Sequence, residues 1–98
     1  MFDQVKKLME MKKQADILKK QLEATIIEVQ ETRGIKVVVN GAQIFQSIDI
    51  EESLLGTGNK NRIQMDLLKN LNTAVKRSQQ AMQNKMKNMP GFNLPGMS

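Results

Sequence analysis

Hydrophobic spacing changes twice along this chain, and the changes divide it into three parts. From Phe2 to about Glu23, the apolar positions Leu8, Met11, Ala15, Leu18 and Leu22 recur at alternating steps of three and four. That rhythm puts them on one stripe of a helix. No glycine or proline interrupts the segment, and the good helix formers Leu, Met, Lys, Gln and Glu dominate it. At 1.5 Å per residue such a helix runs for about 35 Å. For a chain of 98 residues that is long, so part of it is expected to project or to pack on a partner.

The period then falls to two. Ile27 and Val29 alternate with Glu28 and Gln30, and Gly34 supplies a turn. Ile35, Val37 and Val39 form a second alternating run, ending in Asn40-Gly41, a strong short hairpin signal. Ile44, Ile48 and Ile50 give a third strand, with Phe45 and Ser47 on its other face. A three-stranded antiparallel meander with open outer edges is the expectation, and a homodimer is one way to cover those edges.

After Ile50 the helical rhythm returns. Glu51-Glu52-Ser53-Leu54-Leu55 leads into Gly56-Thr57-Gly58-Asn59, with a cap expected at Asn59 or Asn61. The second helix spans Asn59 to Met89, with Ile63, Leu67, Leu71, Ala74, Val75, Ser78, Met82 and Met86 as its inner stripe. Pro90-Gly91 stops it. The fold class is therefore α+β, an α-β-β-β-α protomer with the meander between two long helices. Residues 1–89 make a single domain, and residues 90–98 make a Pro/Gly-containing tail expected to be mobile.

Composition removes whole classes of function. With no histidine and no cysteine, the commonest general base, the commonest metal ligand and the thiol nucleophile are all missing. No catalytic residue, no metal site, no cofactor and no small-molecule substrate are expected. Glu51-Glu52 reads as a turn, since further ligands at useful spacing are lacking. Gly56-Thr57-Gly58 before Lys60 lacks the spacing of a phosphate loop. The N-terminal residues have no apolar run, and no stretch approaches the roughly 20 apolar residues that span a bilayer. A soluble, cytoplasmic protein is expected.

Charge then points to a partner. The net charge is +5 and the pI about 9.7. On the first helix Lys6, Lys13 and Lys20 fall opposite the apolar stripe, with Lys12 and Lys19 on a flank. Asp3, Glu10, Asp16 and Glu23 are interspersed, so Glu10–Lys13 and Asp16–Lys20 pairing into a solvated face is the plain reading there. The second helix carries Lys60, Arg62, Lys69, Lys76, Arg77, Lys85 and Lys87 against one acid, Asp66. Arg62, Lys69, Lys76 and Lys87 lie opposite its apolar stripe and Arg77 borders it. Lys60 and Arg62 oppose the helix macrodipole, where stability alone favours acids. A polyanion contact explains that surplus better than solubility does. The candidate DNA-binding set is Lys12, Lys13, Lys19, Lys20, Arg62, Lys69, Lys76, Arg77 and Lys87. The methionines at helical spacing read as adaptable core or dimer packing.

The chain resembles the YbaB/EbfC family of bacterial nucleoid-associated proteins. The resemblance is carried by Lys7-Leu8-Met9-Glu10-Met11, Ile35-Lys36-Val37-Val38-Val39-Asn40-Gly41, Ile48-Asp49-Ile50, Leu54-Leu55, Asn72-Thr73-Ala74 and Leu94-Pro95-Gly96. It implies a homodimer with joined sheets and helices projecting like tweezers. It further implies binding of double-stranded DNA with little sequence preference, in chromosome organisation or control of transcription. Gly58-Asn59-Lys60-Asn61-Arg62 stands where the family usually enters the last helix with acids, which makes this entrance more basic. The rival reading is a non-enzymatic protein–protein adaptor that grips a partner helix with its long amphipathic helices.

Overall fold

The computed structural model describes residues 2–88. Helix α1 (Phe2–Ala24) is followed by strands β1 (Ile26–Thr32), β2 (Ile35–Asn40) and β3 (Phe45–Ile50), a single 3-10 turn at Glu52–Leu54, and helix α2 (Lys60–Lys87). The strands form one antiparallel sheet in the order β1-β2-β3. The α-β-β-β-α order and the meander between two long helices are as the spacing predicts. The expected stop at Pro90-Gly91 and the tail lie outside the described residues.

Helix α2 packs mainly across β1 and β2. Val29, Val37 and Val39 rise from the sheet against Ala74, and Ile27, Leu67 and Leu71 close around them. The three valines and Ala74 are fully buried, so every second residue at the heart of the sheet is withdrawn from water. Burying each valine side chain contributes on the order of 1.5–3 kcal/mol. At the far end, Gly34 turns with φ +89°, and a Cβ there would stand 2.6 Å from Leu54 Cδ1. Only glycine fits that position.

Two bulges adjust the register. Val29 pairs with Val37 and Thr32 with Ile35, so β1 carries one extra residue between them. The Glu31 N–H that this bulge displaces donates to Asn70 Oδ1 at 2.8 Å. The Asn70 amide in turn donates to Thr32 Oγ1 and to the Asp66 carbonyl, both at 2.8 Å. Asn70 is fully buried with every side-chain group engaged, a position the apolar stripe predicted from sequence passes over.

The second bulge corrects an expectation about β3. Val38 pairs with Ser47 and Val39 with Phe45, so Gln46 is the extra residue. Phe45 therefore shares the face of Ile48 and Ile50 instead of lying opposite them, because one inserted residue inverts the alternation. The preceding turn also departs from a two-residue Asn-Gly hairpin. Gln43 N–H donates to the Asn40 carbonyl at 3.1 Å, and Asn40 N–H to the Ile44 carbonyl at 3.0 Å. The loop thus has three residues, and the left-handed position falls on Gln43 (φ 65°) and not on Gly41. Asn40 Oδ1 accepts from Ala42 N–H and Ile44 N–H, each at 3.0 Å.

Gly41 serves another purpose. Its N–H donates to the carbonyls of Leu22 and Thr25 at 2.8 and 2.9 Å, satisfying the last turn of α1. A Cβ on Gly41 would lie 3.0 Å from the Leu22 carbonyl oxygen. This contact ties the end of α1 to the hairpin, and Ser78 Oγ on α2 donates to the Asn40 carbonyl beside it at 2.8 Å.

From that joint α1 runs away from the sheet. Only Leu18 and Leu22 of α1 are buried, whereas Val5, Leu8, Met9 and Met11 stay more than half exposed. The molecule measures 68 × 23 × 16 Å with a radius of gyration of 18.6 Å. A compact domain of this length has about 13 Å. The protein is an extended arm attached to a small sheet.

Candidate nucleic-acid interface

Each helix takes its outward face from the same arithmetic that sets its buried one. On α2, Asn70, Ala74 and Ser78 are buried at steps of four. Arg62, Lys69 and Lys76, spaced by sevens, fall on the opposite side with Lys87 beyond them. On α1, Lys6, Lys13 and Lys20 stand opposite Leu18 and Leu22, with Lys12 and Lys19 on the flank. All nine residues of the sequence-derived set, Lys6 and Lys60 as well, are solvent-exposed. Lys85 is half-buried, as a long aliphatic stem permits while its ammonium stays in water.

Ion pairing divides the set in a way the sequence did not show. Among the described residues two pairs close: Arg62 Nε to Asp66 Oδ2 at 3.5 Å, and Arg77 to Glu31 Oε1 at 3.2 Å. The first is one helical turn long and was open to prediction. The second joins α2 to β1 across 46 positions of sequence. Both arginines therefore have part of their charge answered inside the protein. The expected Glu10–Lys13 and Asp16–Lys20 pairs on α1 are not closed to ion-pair distance, so that face carries open lysines and not a salt-bridged lattice. What remains facing solvent is mostly lysine, a compact charge that holds phosphates without discriminating bases.

Asn59 is the residue before α2, as expected, but its side chain makes no capping hydrogen bond, and the first turn has no acid. The helix entrance keeps its positive macrodipole beside Lys60 and Arg62. Among the described residues no group of three or more acids is gathered to hold a metal ion. No helix there is long and apolar enough to cross a membrane.

A second surface is apolar. β3 is exposed along most of its length, because α2 covers β1 and β2 and stops short of it. Phe45 and Ile48, 39% and 49% accessible, stand on the same side of the sheet as Val37 and Val39 but beyond the reach of the helix. Leu68 on α2 is 60% accessible.

Two long helices with lysine-lined outward faces, packed on one small antiparallel sheet, define the class of protein. The sequence profile of the YbaB/EbfC DNA-binding family matches residues 1–92, and the chain belongs to that family. DNA binding is what membership implies. The fold is similar to the crystal structure of the uncharacterized protein HP0035 from Helicobacter pylori. The TM-score is 0.78 at 28% sequence identity, over 93% of this chain and 98% of that one. No curated protein sequence matches the chain.

Proposed function

We propose that this protein is a homodimeric nucleoid-associated protein of the cytoplasm that binds duplex DNA through its helices with little sequence preference, organising the chromosome or modulating transcription. The observation that carries this reading is the run of exposed lysines, without ion-pair partners among the described residues, along the outward faces of α1 and α2. A helix studded with lysines gains affinity by releasing condensed counterions from phosphates, and that gain is blind to sequence. Base readout would favour arginine, and both arginines of α2 are tied to carboxylates. Stacking on single strands is disfavoured with three phenylalanines and no tyrosine or tryptophan.

What the monomer leaves open supports the dimer. A shape this extended, with an uncovered β3, buries too little surface to stand alone comfortably. The test is fluorescence anisotropy on several unrelated duplexes at low salt, beside light scattering for mass. Equal affinity for all duplexes from a species of twice the chain mass is expected. Absence of any DNA binding at low salt overturns the reading.

One observation favours the adaptor reading: Leu8, Met9 and Met11 are exposed on the projecting part of α1. Capture of a protein partner that survives high salt, from a protein that shifts no DNA, would select it.

A further inference from the structure

We infer that the protein bridges two separate duplexes, because the basic faces of α1 and α2 look away from each other. This inference rests on the DNA-binding reading above and adds to it a second DNA site and a joining activity.

α1 is fixed to the sheet at Leu22, whose carbonyl accepts from Gly41, and α2 reaches the same end of the sheet at Ser78. Beyond Ser78 the half-buried positions of α2 are Ala81, Met82, Lys85 and Met86. The element packed against α2 beyond the sheet is α1, which contributes Leu18 and Leu22 as its buried residues. The two helices are in contact, and at that end of the molecule the buried Leu18 and Leu22 of α1 and the half-buried Ala81 and Met82 of α2 place their stripes toward each other. Lys6, Lys13 and Lys20 stand opposite the stripe of α1. Lys69, Lys76 and Lys87 stand opposite the stripe of α2. Since the stripes face inward, the two lysine rows face outward in opposite directions.

The distance between the rows is set by helix thickness. Each helix with its side chains is about 10 Å across, so where the helices meet the rows are separated by roughly 20 Å. A stiff duplex lying on one row cannot reach round to the other. Each row is long enough to serve as a site. Lys6 to Lys20 covers about 21 Å and Lys69 to Lys87 about 27 Å at 1.5 Å per residue. Duplex DNA presents a charge every ~1.7 Å along its axis, so each row lies alongside many phosphates. Asp16 and Glu10 moderate the row on α1, and α2 has only Asp66, already engaged by Arg62. The row on α2 is expected to be the tighter site and the row on α1 the weaker.

The experiment is a two-duplex capture. One short duplex is immobilised, a second unrelated duplex carries a fluorophore, and the full-length protein is added at low salt. Anisotropy on a single free duplex runs in parallel. The wild-type protein should retain the labelled duplex. Lys6→Glu/Lys13→Glu/Lys20→Glu and Lys69→Glu/Lys76→Glu/Lys87→Glu should each still bind free duplex, with half as many duplexes bound at saturation, while capture falls at least tenfold. The six-site combination should bind none. All six positions are exposed, and the matching Lys→Gln variants repeat the test should charge reversal disturb folding.

Wild-type protein that binds one duplex but captures no second overturns the bridging inference and leaves the DNA-binding reading intact. Capture that survives loss of the α1 row overturns the placing of the second site on α1, since the α2 rows of two protomers would then hold the two duplexes. Single-duplex binding that disappears with either row alone overturns the bridging inference too, because both rows would then serve the same duplex. Wild-type protein that binds no duplex overturns both.

Discussion

Asn70 shows how a single polar residue holds the fold where hydrophobic pattern would have placed a leucine. The β1 bulge frees the Glu31 N–H from the ladder, and the Asn70 carbonyl oxygen is what receives it. Asn70→Ala leaves that donor without an acceptor and the Thr32 hydroxyl without its amide donor at part-buried positions, while the Asp66 carbonyl keeps its helical N–H. A loss of about 2–3 kcal/mol is expected in a urea titration, by the cost of orphaning buried polar groups. The hairpin turn carries a paired prediction. Gly41→Ala forces a Cβ to 3.0 Å from a backbone oxygen that cannot move aside, and should destabilise by about 1–2 kcal/mol through overpacking. Gln43→Gly, two residues on, relieves a left-handed backbone (φ 65°) and should stabilise by up to about 1 kcal/mol. Were the Asn-Gly pair the left-handed corner, Gly41→Ala would still destabilise but Gln43→Gly would destabilise too, so the sign at Gln43 separates the two turns.

At the scale of elements, the alternation of valines and isoleucines and the long uninterrupted helices were legible in the sequence, because burial on one face imposes its period directly on residue choice. Features that depend on one residue more or less were not legible. The bulge at Gln46 carries Phe45 to the face of Ile48 and Ile50, and nothing in Ile44-Phe45-Gln46-Ser47-Ile48 announces an inserted residue. Arg77 was hidden for a related reason, since its partner Glu31 comes from a strand far back in the chain. The lysine rows were legible, being a matter of helical spacing alone. The corrected face of β3 sharpens the expectation for the dimer. Phe45 and Ile48 share the stretch of sheet that α2 leaves open, so a second copy that covers β3 buries both. Phe45→Glu/Ile48→Glu should convert the dimer to monomer at micromolar concentration in light scattering, with the far-ultraviolet spectrum unchanged. A double variant that still scatters as a dimer places the contact elsewhere.

On the scale of the whole molecule, shape and charge act together: a molecule 68 Å long holds its lysines along helical faces that are already straight. Few side chains need reorganise to meet a phosphate row, so affinity should follow the number of phosphates engaged closely. A dimer that offers three or four lysines from each α2 engages six to eight phosphates, and log K should fall against log salt with a slope of roughly −5 to −7. Lys76 sits in the middle of the α2 row, exposed and outside both ion pairs. Lys76→Gln should therefore weaken binding evenly across unrelated duplexes and flatten the slope by about 1 for each phosphate no longer engaged. Arg77→Gln behaves differently, because Arg77 is already held by Glu31 at 3.2 Å. Its removal should change the salt slope by much less than Lys76→Gln, at a cost in stability within about 1 kcal/mol for so exposed a pair. Titrations of the two variants on one duplex between low and near-physiological salt separate the cases. Equal slopes would mean that Arg77 leaves Glu31 for DNA, and that the ion pair is a resting position for an arginine that takes part in binding.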